Sequence, residues 1–218
     1  MRRSRHSALV IGLGRFGSAV ARRLLSLGWD VVGVDNNPTV VEDLQHVLEH
    51  IMLLDASDEE ALASVGVPDF EVCIVARGGS IEGSVLFVLN LQHLEAKRVV
   101  AKAVSEYHAR ILRRLGVENI VFPELNAGTN LAESLQAPHL AHWMPITEQT
   151  ELAVVRVPKG RAGCPLNLWR ETQRPSLRIV ARISAEGQLL NIDNFSLLEP
   201  GEILIVIGTP DDVIALGH

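Results

Sequence analysis

Cysteine is scarce, long apolar runs are missing and positive charge is in deficit, and each shortage excludes something. The 218-residue chain holds two cysteines, Cys73 and Cys164. Neither belongs to a C-x-x-C pair, so there is no disulfide framework and no zinc spacing, which suits a reducing compartment. Cys73 falls inside the apolar run EVCIVAR and reads as a small buried thiol. No stretch approaches the roughly 18 to 20 uninterrupted apolar residues that span a bilayer. The basic opening MRRSRH leads into SALVIGLG, too short for the apolar centre of a secretory signal, and Arg2, Arg3 and Arg5 read as a solvated tail. A formal charge of −6 opposes broad nucleic-acid binding, which depends on counterion release at a positive face. The chain also lacks G-x-S-x-G, a P-loop lysine, a helix-turn-helix and a placeable His–Asp pair. His139 and His142 stand three apart without a third ligand and read as surface or interface residues.

What is there is a regular alternation of apolar runs and helical patterns over the first 125 residues. Strands are expected at 8–12, 31–35, 50–55, 71–76, 98–103 and 119–124, with helices between them. Pro38 opens the helix PTVVEDLQHVLEH, and Ser57 or Asp58 caps the helix after the third strand. Near-continuous apolar strands alternating with helices predict a parallel sheet covered on both faces, a doubly wound α/β fold. A further helix follows, capped near Asn126 or Thr129, and Pro138 and Pro145 bracket a connecting segment. From Glu151 onward, ELAVVRV, SLRIVARI and EILIVIG predict a small α+β module closed by a short terminal helix. The expected domains are 7–125, a crossover helix and linker at 126–140, and 141–218.

Gly12, Gly14 and Gly17 make G-x-G-x-x-G between a strand and a helix, and Asp35 ends the next strand about 20 residues on. Bare glycine backbone lets a pyrophosphate approach the positive end of a helix, while the carboxylate accepts hydrogen bonds from ribose hydroxyls. Asp35 also repels a 2′-phosphate, which makes NADP the poorer ligand. Ligands of such sheets bind beyond the carboxyl edge of the strands. That edge carries Asp55, Ser57, Arg77, Lys102 and Glu124, with Arg15 in the glycine turn. Cations among carboxylates suit a polyphosphate, with a divalent ion at Glu124. A nucleotide site without a catalytic constellation reads as a sensor, not an enzyme.

The segments VIGLGRFGSAVARRL, VVGVDNNP, LLDASDEEAL, IVARGGSIEGS, VVAKA and RLGVENIVFPE resemble the amino-terminal RCK (regulator of potassium conductance) domain. The similarity is greatest to cytosolic regulatory subunits of Ktr/Trk potassium-uptake systems, and the tail resembles the companion carboxy-terminal RCK domain more thinly. The resemblance implies a cytoplasmic protein lying against the inner face of the membrane. It would pair into dimers and an octameric ring beneath a membrane-embedded potassium transporter subunit. It also implies ATP or ADP as the favoured ligand, NAD(H) as the other, and Mg²⁺ or Ca²⁺ beside the nucleotide. The implied binding set is Gly12, Gly14, Arg15, Phe16, Gly17, Asp35, Asn36, Asp55, Ala56, Ser57, Ala76, Arg77, Gly78, Lys102 and Glu124. By motif position the glycines cradle phosphates, Asp35 takes the ribose, Arg15 reaches a terminal phosphate, Lys102 contacts phosphates and Glu124 holds the cation. Two departures stand out. Arg77 occupies a position where such relatives carry an apolar residue, and is expected to favour a more anionic ligand. CPLNLWRETQRPSLRIV is longer than its counterpart and carries Pro175 in place of a glycine, so cyclic di-AMP binding is not carried over. A cation/proton antiporter regulator and a small NAD-dependent oxidoreductase are the alternatives, the latter opposed by the short second domain.

Overall fold

Six short apolar segments pair side by side: β1 (Ser7–Ile11), β2 (Asp30–Asp35), β3 (His50–Leu53), β4 (Val72–Val75), β5 (Val99–Lys102) and β6 (Asn119–Val121). The structure is a computed structural model describing residues 6–136, 140–157, 160, 163–166, 177–193 and 195–215. The strands form one parallel sheet in the order β3-β2-β1-β4-β5-β6. All four residues of β4 are buried, as in a strand covered on both sides. Successive residues of β1 feed opposite faces: Ala8 and Val10 join Leu13, Ala21 and Leu44, while Leu9 and Ile11 join Val34, Phe87 and Leu112. Each fully buried leucine of these layers contributes about 1.5–3 kcal/mol.

The connecting helices are α1 (Arg15–Ser26), α2 (Pro38–Leu44), α3 (Glu59–Ala63), α4 (Ile81–His93), α5 (Glu106–Arg114) and α6 (Pro123–Gln136). Four start on side-chain caps, with Asn37, Asp58, Ser80 and Ser105 accepting from the amides of Thr39, Ala61, Gly83 and His108. The cap of α3 is therefore Asp58, and Ser57 has another role. Helix α2 ends earlier than its apolar pattern predicts. The chain turns at Leu44, whose carbonyl accepts from the amides of Val47 and Leu48, and Leu48 enters the core against Gly33. Helix α6 starts at Pro123, so Pro123 and Glu124 belong to its first turn and not to the sixth strand. Proline is pre-shaped for a first helical turn, and a carboxylate there complements the helix dipole.

The chain divides into two compact units, Met1–Leu125 and Asn126–His218, with the division inside α6. In the second unit β7 (Leu140–Thr147), β8 (Thr150–Arg156), β9 (Arg178–Ile183), β10 (Leu189–Leu190) and β11 (Ile203–Gly208) form an antiparallel sheet, followed by α7 (Pro210–Ala215). The order is β10-β9-β11-β8-β7, and β11 alternates half-buried with buried residues along its length. Ala153, Val155, Leu166, Leu204, Val206 and Val213 make its core. Within it Arg182 is 4% exposed and Glu202 1%, joined by two guanidinium–carboxylate bonds of 2.6 and 3.1 Å. Arg182 also donates to the carbonyls of Asn191 and Leu197, and Glu202 accepts from the amide of Glu199. The segment expected to connect at 138–145 is instead largely strand β7, hairpinned to β8. It is an edge strand whose register shifts between Pro145 and Thr147, a place where a missing N–H is tolerated. Arg2, Arg3, Arg5, Pro138, His139 and Pro175 lie outside the described residues.

Candidate functional site

The glycine turn joins β1 to α1 at the centre of the sheet, where the strand order reverses. Its three glycines are required for different reasons. Gly12 has φ +89°, which side chains resist, and its amide donates to Val34 at 2.8 Å. At Gly17 a Cβ would lie 1.9 Å from the Gly12 carbonyl oxygen, so only hydrogen fits. At Gly14, the N-cap of α1, a Cβ would meet nothing within 4 Å. That position has no side-chain cap, leaving first-turn amides free for an anion.

Asp35 holds this turn in place. Its Oδ2 accepts from the Leu13 amide at 2.6 Å and its Oδ1 from the Asn37 amide at 2.9 Å. Beyond the turn opens a cavity of about 310 Å³. Gly12 and Gly14 line it, together with Asp35 and Asn36 after β2, Asp55 and Ala56 after β3, and Ala76, Arg77 and Gly78 after β4. Val34, Val40, Leu54 and Phe87 supply an apolar wall that the sequence reading did not assign to the site. Asp55 accepts from the Ser57 amide at 3.0 Å and the Ser57 hydroxyl at 2.7 Å. These bonds, chiefly the amide, hold its carboxyl below the usual range, with the Arg77 charge and Asn36 adding to the effect. Asn90, a buried amide on the otherwise apolar α4, fixes this loop by donating to the Ala56 and Ser57 carbonyls at 3.0 and 3.1 Å. A polar residue inside LFVLNLQ was the available signal for it.

Lys102, Phe16, Arg15 and Glu124 are grouped apart from that lining. Lys102 is buried, pairs with Glu124, and lies 5.9 Å from the centre of the Phe16 ring. A Cβ on Gly78 would come within 3.0 Å of its ammonium. The Lys102 hydrogen bond holds the Glu124 carboxyl below its ordinary range, and the Arg15 charge assists. Among the described residues no group of three His, Cys, Asp or Glu side chains could hold a metal ion. Glu124 is a single carboxylate whose neighbour is already an ammonium, a poor cage for a divalent cation on its own. Gly17 shapes the turn from behind and Ser57 orients Asp55, so neither lines the cavity. His142 is exposed.

A parallel sheet in the order 3-2-1-4-5-6, with a glycine turn and an acid at its switch point, defines a Rossmann-type nucleotide-binding fold. Residues 8–123 match the TrkA-N domain, and the chain belongs to that family. It is 28% identical over 204 residues to Ktr system potassium uptake protein C of Bacillus subtilis (strain 168), covering 94% of this chain and 92% of that protein. It is 32% identical over 162 residues to Ktr system potassium uptake protein A of the same organism, 73% of each chain. Among solved structures, the GsuK RCK domain matches with a TM-score of 0.66 at 19% identity, over 100% of this chain and 48% of that one. The GsuK channel bound to NAD matches at 0.63 and 19% identity, over 99% of this chain and 39% of that one. Both likenesses are of fold. No helix among the described residues is long and apolar enough to cross a membrane.

Proposed function

We propose that this chain is a nucleotide-sensing regulatory subunit that controls potassium flux through a separate membrane-embedded transporter subunit. The observation that carries the reading is the cavity bounded by the open Gly14 position on one side and the pinned Asp35 carboxylate on the other. Bare amides take a diphosphate and Asp35 takes ribose hydroxyls, so an adenine nucleotide is the ligand class, ATP or ADP first and NAD(H) second. The near full-length similarity to Ktr protein C, and that over 73% of the chain to Ktr protein A, supply the transporter context, and a channel of the same fold has been solved with NAD. In this reading the site binds and reports the ligand without transforming it.

Arg15, exposed at the start of α1, and buried Lys102 give the rim a second set of cations beyond the cavity. A triphosphate reaches them and a diphosphate does not, so the two ligands differ in contact with this set. A ligand shifts a conformational equilibrium only by its difference in affinity for the two states, here about 1 to 3 kcal/mol per site. Assembly as a dimer within a larger ring, cytoplasmic and peripheral to the membrane, multiplies that bias over several sites. Calorimetric titration with ATP, ADP, NAD⁺ and NADH tests the reading. Specific binding of at least one is expected, with Asp35→Ala weakening all of them and Arg15→Ala mainly erasing the difference between ATP and ADP. Equal weak or absent binding of all four overturns it.

A further inference from the structure

The charged groups of the strand rim fall into two groups that adjoin at Gly78. Glu124 responds to Lys102 and Arg15, whereas Asp55 responds to Ser57, Arg77 and Asn36. The Arg77 backbone starts beside the glycine turn, its amide nitrogen 3.1 Å from where a Gly12 Cβ would be. From there the half-buried side chain runs along the beginning of α4. Its guanidinium carbon is 5.3 Å from the centre of the Phe87 ring, and a Cβ on Gly83 would come within 3.4 Å of its Nε. The Arg77 side chain therefore lies against Phe87 and the start of α4, and its charge helps to lower the Asp55 carboxyl.

A bound nucleotide fixes what lies at that end. With phosphates at the glycine turn and ribose hydroxyls at Asp35, the nucleotide reading leaves the lining of Val40, Leu54 and Ala56 for the base. We propose that Arg77, braced by Phe87, covers the face of the purine and is a base-binding residue of this site. The inference rests on the nucleotide reading above. A guanidinium is planar and weakly hydrated and stacks on aromatic faces, whereas an ammonium offers charge without a plane. Phe87 supports one side of that plane, and Asp55 feels its charge. Arg77 thus tightens the grip on the base that all adenine nucleotides share. The sequence alone suggested the opposite, a preference for more anionic ligands.

The test titrates the full chain and its Arg77→Lys and Arg77→Met variants with AMP, ADP, ATP and NAD⁺, at low and high salt. Both variants are expected to lose affinity by about tenfold for every ligand. Lysine should do no better than methionine, and the loss should persist at high salt. Unchanged melting temperatures of the ligand-free variants confirm that the fold is intact. Recovery of wild-type affinity in Arg77→Lys, a loss that grows from AMP to ATP, or wild-type affinity in both variants each overturns the proposal. Failure of the wild-type chain to bind any of the four overturns the nucleotide reading itself, a result separable from every variant outcome.

Discussion

Gly14→Ala and Gly17→Ala each add one methyl group to the same turn, three residues apart, with opposite consequences. At Gly17 the new Cβ meets the Gly12 carbonyl oxygen at 1.9 Å, where ordinary contact begins at 3.4 Å. Neither side can yield cheaply. The Gly12 amide is bonded to Val34 at 2.8 Å, the Leu13 amide to Asp35 at 2.6 Å and the Ser18 amide to the Gly14 carbonyl at 2.9 Å. Overpacking into backbone held this firmly costs about 3 kcal/mol, the upper end of the usual range. For a unit of this size that is a fall in Tm of roughly 10 °C. At Gly14 the methyl meets nothing within 4 Å, and φ is −61°. Alanine fits there, and by restricting the unfolded chain it stabilises the fold by about 0.4–1 kcal/mol. The methyl nonetheless faces the cavity, where in the proposed site a phosphate approaches the α1 amides. Thermal unfolding followed by calorimetry with ADP separates the two. Gly17→Ala should melt early, and Gly14→Ala should melt at or above the wild-type temperature while binding at least tenfold more weakly. A Gly14→Ala protein that binds normally would refute the placement of the phosphate, and a stable Gly17→Ala protein would refute the packing.

Two further outcomes follow from buried charge and a buried ring. Arg182→Met leaves the Glu202 carboxylate buried without its partner and should destabilise the second unit by about 3–5 kcal/mol in urea unfolding. Replacing both residues with apolar side chains of similar volume should cost much less. His108 is fully buried, its Nε2 has no partner, and burial pushes its pKa below 6.5. The unfolded chain therefore takes up a proton first as pH falls below about 6.5. Stability is complete above that pH and declines as pH falls toward the lower folded value. Urea midpoints across pH 5 to 8 should show a component of that slope that disappears in His108→Leu. An identical slope in the variant would assign it to other groups.

The parallel sheet was legible because its central strands are buried, β4 wholly and β1 at four of five residues, which writes them as near-continuous apolar runs. The glycine turn and Asp35 were legible because the fold demands them at fixed spacing. The cavity wall was not. Val40, Leu54 and Phe87 carry the same signal as core residues, and only the packing shows that they border open space. The start of α6 was misplaced because Phe122 and Pro123 prolong the apolar look of β6, although proline is equally at home in a first helical turn. Strand β7 was hidden because Pro145 reads as a break, which on an edge strand it need not be. The pairing of Arg182 with Glu202 depends on a meeting 20 residues apart in sequence that no local pattern announces.

In the proposed site Asp35 would carry a double duty, with a consequence for how this chain can drift. Both its oxygens already accept from the backbone, and hydrogen bonds to a charged acceptor are worth about 1.5–3 kcal/mol each. A descendant that abandoned its ligand would loosen the first loop of its fold by discarding the acid, so selection for mere foldability keeps it. The empty space over residue 14 has no such second employer. It is there that a lineage would first fill in once sensing ceased to matter.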